Sequence, residues 1–227
     1  MPFTNQLRQG ADPIWVAQHE HPFVRGIGKG TLEPSKFRHF VRQDYLFLID
    51  YARLLALGCA RAPQLEAMAR FAQLTGAVLG SELELHRGYA AEWGISITEL
   101  EDERPTPTTR AYTDFLLRVA TLGDYAELLA ALLPCMWGYH ELAVHLAERR
   151  RPANELYARW IGEYAGAEFG ELAAWCRTLT DEAAATGDHH RMGEAFLTSS
   201  RYELAFWDAS WRREPPLRDS DTSFRSA

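Results

Sequence analysis

Apolar residues fall three and four apart through most of this chain, in stretches covering 37–57, 65–93, 112–122, 125–146, 157–179 and 192–211. That spacing lines one face of an α-helix, and no stretch shows the two-residue alternation of a half-buried strand. The interruptions read as helix boundaries. Glu33-Pro34-Ser35, Ala62-Pro63, Pro105-Thr106-Pro107, Gly123-Asp124, Arg151-Pro152-Ala153-Asn154 and Gly187-Asp188 supply the proline, glycine and capping residues that end one helix and open the next. Short joins favour antiparallel neighbours, so the pattern predicts an all-α, single-domain helical bundle over 1–214. Residues 215–227 are polar with few apolar anchors and are expected to form a disordered tail. The stretch from His21 to Leu32 carries Gly26, Gly28 and Gly30; with no strand before it, it reads as a turn between helices rather than a phosphate loop.

Composition narrows the function classes. At 227 residues, 47% hydrophobic and 12% aromatic, the chain has ample material for a packed core. Its 24 Lys and Arg against 31 Asp and Glu give a formal charge of -7, and the basic run Arg149-Arg150-Arg151 falls where a helix should end, so nucleic acid is disfavoured as a partner. No basic-then-apolar leader opens the sequence and no run of eighteen uncharged apolar residues occurs, so the expected setting is the cytoplasm, away from membranes. Cys59, Cys135 and Cys176 are odd in number and widely spaced, which fits neither a disulfide framework nor a zinc site.

Cys135 stands apart from the other two. Pro134 precedes it inside a long apolar helix, where a residue without N–H kinks the backbone and frees polar groups beside the thiol. Tyr139, four residues on, looks into the same space. Two other helices carry a carboxylate inside an aromatic stripe. Asp44 shares a face with Phe47 and Tyr51, and Glu203 lies between Tyr202, Phe206 and Trp207. A carboxylate so placed needs donors around it, or takes up a proton. Asp44 suits the amino group of a flat ligand stacked on Phe47, and Glu203 suits a general acid. Tyr112 and Tyr164 punctuate amphipathic helices and read first as core tyrosines with one hydrogen bond each.

The chain resembles the TenA family, thiaminase II or aminopyrimidine aminohydrolase, in ordered blocks along nearly its whole length: His21-Pro22-Phe23-Val24, Gly26-Ile27-Gly28, Gln43-Asp44, Leu132-Leu133-Pro134-Cys135, Trp160-Ile161-Gly162-Glu163-Tyr164 and Tyr202-Glu203-Leu204-Ala205-Phe206-Trp207. The resemblance implies a haem-oxygenase-like bundle with no haem, metal or other cofactor, usually a homotetramer. Its implied reaction is hydrolysis of 4-amino-5-aminomethyl-2-methylpyrimidine to the 5-hydroxymethyl compound in thiamin salvage, or of thiamin itself. It further implies Cys135 as the nucleophile on the pyrimidine ring, and Glu203 as the acid for the leaving amine and then the base for water. Asp44 would hold the exocyclic amine and the adjoining ring nitrogen, and Tyr164 another ring nitrogen. Tyr112 and Tyr139 would complete the polar lining, and Phe47 and Phe206 the apolar walls. Some relatives have a tyrosine where this chain has Phe47, which has no hydrogen to donate, so thiolate support is expected from Tyr51 or Tyr139.

Two other classes compete. Glu82, His86, Glu141 and His145 occur at helical spacings compatible with a metal-dependent oxygenase, although the bland reading makes His86 a helix-surface or capping residue. His189-His190 reads as an exposed loop pair. A non-catalytic pyrimidine-binding or regulatory protein would keep Asp44, Phe47 and Tyr164 without requiring Cys135 and Glu203 together.

Overall fold

In the computed structural model, which describes residues 1–217, the chain forms twelve α-helices and one π-helical turn, with no strand among the described residues. In order these are α1 (Phe3–Gly10), α2 (Asp12–Glu20), α3 (Pro22–Lys29), α4 (Pro34–Arg61), α5 (Leu65–Ala77), the π-turn (Val78–Glu82), α6 (Leu83–Glu92), α7 (Ile97–Glu101), α8 (Pro107–Leu122), α9 (Tyr125–Ala147), α10 (Glu155–Ala165), α11 (Ala167–Ala183) and α12 (His189–Arg212).

The axis of the bundle is α9. Its residues Leu128, Leu129, Ala130, Ala131, Leu132 and Leu133 are all fully buried, as expected of a helix apolar on every side. It packs against α12, α11, α10 and α8, with α4 crossing nearby. A capping box fixes its start: the Asp124 carboxylate accepts from the Glu127 backbone N–H, and the Glu127 carboxylate accepts from that of Asp124, both at 2.8 Å.

The core divides into two clusters. One gathers Trp15, Phe47, Tyr51, Phe71, Tyr112 and the first half of α9, and the other gathers Phe23, Phe40, Tyr139, Trp160, Tyr164, Phe206 and Trp207. The seam between them is where the candidate residues meet.

Several boundaries differ from the sequence pattern. The glycine-rich stretch is helix α3, not a turn. Gly28 is there for close packing, since a Cβ would lie 2.7 Å from Leu146 Cδ2, and only Gly30, with φ of +72°, makes the turn at its end. The stretch 65–93 is divided by the π-turn, and 157–179 is split by Gly166, whose ψ of 154° leaves the helical region. His189 and His190 open α12 instead of sitting in a loop, because the Asp188 carboxylate caps the helix just before them. Helix α9 runs through Pro134 as one element. Of the expected tail, Leu217 donates its N–H to the Pro105 carbonyl at 3.1 Å, and 218–227 lie outside the described residues.

Candidate active site

Five helices and the π-turn deliver polar groups to the seam. Asp44 comes from the middle of α4, Cys135 and Tyr139 from α9, Tyr164 from α10 and Glu203 from α12, with Tyr112 arriving on α8. Asp44, Tyr112, Tyr139, Tyr164 and Glu203 are buried, and Cys135 is half-buried.

Burial pushes the Cys135 thiol well above its ordinary range, and the nearby carboxylates Glu203, Glu82 and Asp44 push it further. Tyr51 opposes them: its phenol is within hydrogen-bonding reach of the sulfur and favours the thiolate. The same phenol donates to the Leu132 carbonyl at 3.2 Å. The aromatic walls close around this pair. The Phe47 ring stacks on Tyr51 at 5.5 Å and approaches Tyr112 at 5.0 Å and Phe206 at 5.9 Å, while Tyr139 meets Tyr164 edge-on at 5.2 Å.

Glu203 is held by the Tyr112 phenol, which donates to its Oε1 at 2.6 Å and also meets Ser199 Oγ at 3.0 Å. Desolvation raises the Glu203 carboxyl to about 8, a shift the Tyr112 hydrogen bond partly offsets and the Asp44 charge reinforces. It therefore holds its proton at neutral pH, as a general acid must.

The structure corrects the reading of His86 as a surface or capping residue. It is 1% exposed, with Nε2 2.8 Å from Asp44 Oδ2 and Nδ1 2.9 Å from the Glu82 carbonyl oxygen. A carbonyl only accepts, so Nδ1 carries hydrogen, and Nε2 shares a hydrogen bond with the Asp44 carboxyl. Burial lowers the His86 pKa, but the hydrogen bond and charge of Asp44, with the Glu82 carbonyl, outweigh it and leave the pKa raised. Asp44 thus has the buried partner its place in an aromatic stripe demands. Replacing His86 with alanine leaves the Asp44 carboxyl without its buried partner, and the expected cost is about 3–5 kcal/mol. The check is the midpoint of urea unfolding at neutral pH, read with an unchanged m-value.

Glu82 is the other residue the sequence offered only as a metal ligand. Its Oε1 accepts from the Tyr164 phenol at 3.0 Å, and burial raises its carboxyl to about 7. The proposed metal set does not assemble. Glu82 and His86 face the seam, whereas Glu141 pairs with Arg8 and His19, and His145 bonds Arg149. Among the described residues, no group of three His, Cys, Asp or Glu has metal-binding geometry. A cavity of about 370 Å³ between the π-turn, α10 and α11 reaches the site along Glu82, Tyr164 and Met136.

A half-buried thiol, an acid held by a phenol and an Asp–His pair inside an all-α bundle define a class that comparison with known proteins makes specific. Residues 8–213 match the family described as TENA/THI-4/PQQC, and the chain belongs to it. It is 46% identical to the aminopyrimidine aminohydrolase of Halalkalibacterium halodurans over 215 residues, which span 93% of this chain and 96% of that one. Among solved structures, a TenA homologue from P. horikoshii OT3 superposes with a TM-score of 0.89 at 32% identity, covering 93% of this chain and 99% of its own. A Shewanella denitrificans domain with a haem-oxygenase-like fold superposes at 0.72 and 15% identity over 99% of this chain and 98% of its own, which shows the shared fold.

Proposed function

We propose that this protein is an aminopyrimidine aminohydrolase, converting 4-amino-5-aminomethyl-2-methylpyrimidine to its 5-hydroxymethyl counterpart, with thiamin as a second substrate. The observation that carries the reading is Cys135 lying close enough to the buried carboxyls of Glu203 and Asp44 for each to act on the thiol's charge. The likeness to a protein of that name along 93% of the chain supports it.

Asp44, held by His86, accepts from the exocyclic amine of the substrate, and Tyr164 meets a ring nitrogen on the far side. Cys135 gives its thiol proton to water as its sulfur bonds to the ring carbon beside the one bearing the aminomethyl arm, the C=N electron pair moves onto the ring nitrogen, and the thiol takes a proton back when the S–C bond later breaks. As sulfur ionises, the Tyr51 phenol can turn from the Leu132 carbonyl to the thiolate. With aromaticity lost, the electron pair of the exocyclic amine expels the arm's nitrogen, which leaves with the Glu203 proton. The Glu203 carboxylate then takes a proton from water as its oxygen bonds to the exposed methylene. The S–C bond breaks, the ring recovers its aromaticity, and Cys135 is free again. Tyr112 keeps Glu203 in place through both proton transfers. A homotetramer in the cytoplasm belongs to the same proposal.

Ammonia release from the aminomethylpyrimidine, with thiamin cleavage measured in parallel, tests it. Turnover of the former with the higher kcat/KM is expected. Folded protein that turns over neither compound would sink the reading.

A further inference from the structure

The mechanism leaves one need unmet: the ring nitrogen that receives the electron pair when sulfur adds must also receive a proton. Tyr164 faces that nitrogen in the reading above, but its hydroxyl hydrogen points elsewhere, donating to Glu82 Oε1 at 3.0 Å. With Glu82 ionised, the phenol turns a lone pair toward a ring nitrogen that is itself an acceptor, and the contact is repulsive. With Glu82 protonated, the carboxyl donates to the phenol and the phenol donates to the ring.

We propose that Glu82 is the positioning residue that sets the direction of the Tyr164 hydrogen bond and restores the proton Tyr164 gives to the ring. The inference rests on the hydrolase reading. As the S–C bond forms, the ring nitrogen takes the phenolic proton, Tyr164 takes the carboxyl proton, and Glu82 is left as carboxylate. When the S–C bond breaks, the nitrogen returns its proton along the same path, so the relay ends each cycle as it began.

The setting suits the task. Glu82 sits at the end of the π-turn, a local widening of the helix that is common at functional sites, and it borders the cavity that leads to the seam. Around it are His86 from α6, Asp44 from α4, and Tyr164 and Glu163 from α10. His86 favours the carboxylate, while Asp44 and Glu163 oppose it, as does burial. The outcome is a carboxyl at about 7, able to hold a proton and release it near neutrality.

The test is the pH profile of aminomethylpyrimidine hydrolysis by wild type, Glu82→Gln and Tyr164→Phe. Wild type should decline on the alkaline side as Glu82 loses its proton. Glutamine cannot ionise and keeps an N–H toward the phenol, so in Glu82→Gln the decline that begins near pH 7 should vanish, leaving only the later one set by Glu203 near 8. Its kcat should fall by about tenfold or more, with KM changed by no more than about twofold, because hydrogen bonding survives and proton transfer does not. Tyr164→Phe cuts the same path and should erase the same decline, which keeps the test in force should Glu82→Gln fail to fold. A variant that retains both the decline near pH 7 and wild-type kcat overturns the relay and leaves the hydrolase standing. A wild type without turnover removes both.

Discussion

Cys135→Ser should lower kcat for aminomethylpyrimidine hydrolysis by about 10³-fold or more, a loss of roughly 4 kcal/mol of transition-state stabilisation. The substitution changes one atom in a packed pocket, so fold and ring binding should survive. Every interaction that raises the thiol pKa acts more severely on a serine hydroxyl, whose ionisation in water is already far harder. Tyr51 only partly opposes the rise in the thiol pKa, and that help falls far short of what an alkoxide would need. KM should stay within about twofold, since in the proposed binding mode Asp44 with His86 and Tyr164 with Glu82 would hold the ring away from the sulfur. Ammonia release gives kcat, and calorimetric titration with the hydroxymethyl product shows whether the pocket is intact. Wild-type turnover in a Cys135→Ser protein that binds product normally would rule out covalent addition.

Much of the candidate site was legible because its residues recur at helical spacing on single helices. Cys135 and Tyr139 are one turn apart on α9, Asp44, Phe47 and Tyr51 share a face of α4, and Glu203 and Phe206 share a face of α12. Each group can be read from a window of a dozen residues. The partners of these groups could not be read that way. His86 lies 42 residues from Asp44, in a stretch whose neighbours Ser81 and Glu84 are exposed, so its local pattern resembles a surface turn. The usable signal was indirect: a carboxylate inside an aromatic stripe needs a donor, and a histidine four residues after a glutamate was available to be one. The π-turn that brings Glu82 toward Tyr164 left no mark in the apolar spacing. Helix α3 escaped for another reason, because glycine usually opposes helix, and only the approach of Leu146 explains why Gly28 is required there.

Glu203→Gln should produce an enzyme that is nearly inactive yet more stable than wild type at alkaline pH. Glutamine keeps an oxygen to accept from Tyr112 and loses the proton for the leaving amine, so kcat should fall about 10²- to 10⁴-fold. The stability change follows from the direction of the pKa shift. Folding raises the Glu203 carboxyl from its ordinary 4.5 to about 8, so the folded state holds a proton that the unfolded chain releases. The stabilisation from that proton is fully present below pH 4.5 and is lost progressively as pH rises through about 8, beyond which the fold contains a buried carboxylate beside Asp44 and no cation of its own. The amide has no such loss. The two stability curves should run parallel at acid pH and separate from pH 4.5 upward, reaching a gap of at most roughly 4–5 kcal/mol above pH 8. Urea unfolding of both proteins between pH 4 and 9 measures the gap directly. A constant gap across that range would mean that folding leaves the Glu203 pKa at its ordinary value, and its assignment as the general acid would fall with it. A widening gap would mean that the wild-type fold tolerates a strained carboxyl at the position where the leaving amine needs a proton, a loss of stability set by catalysis rather than by packing.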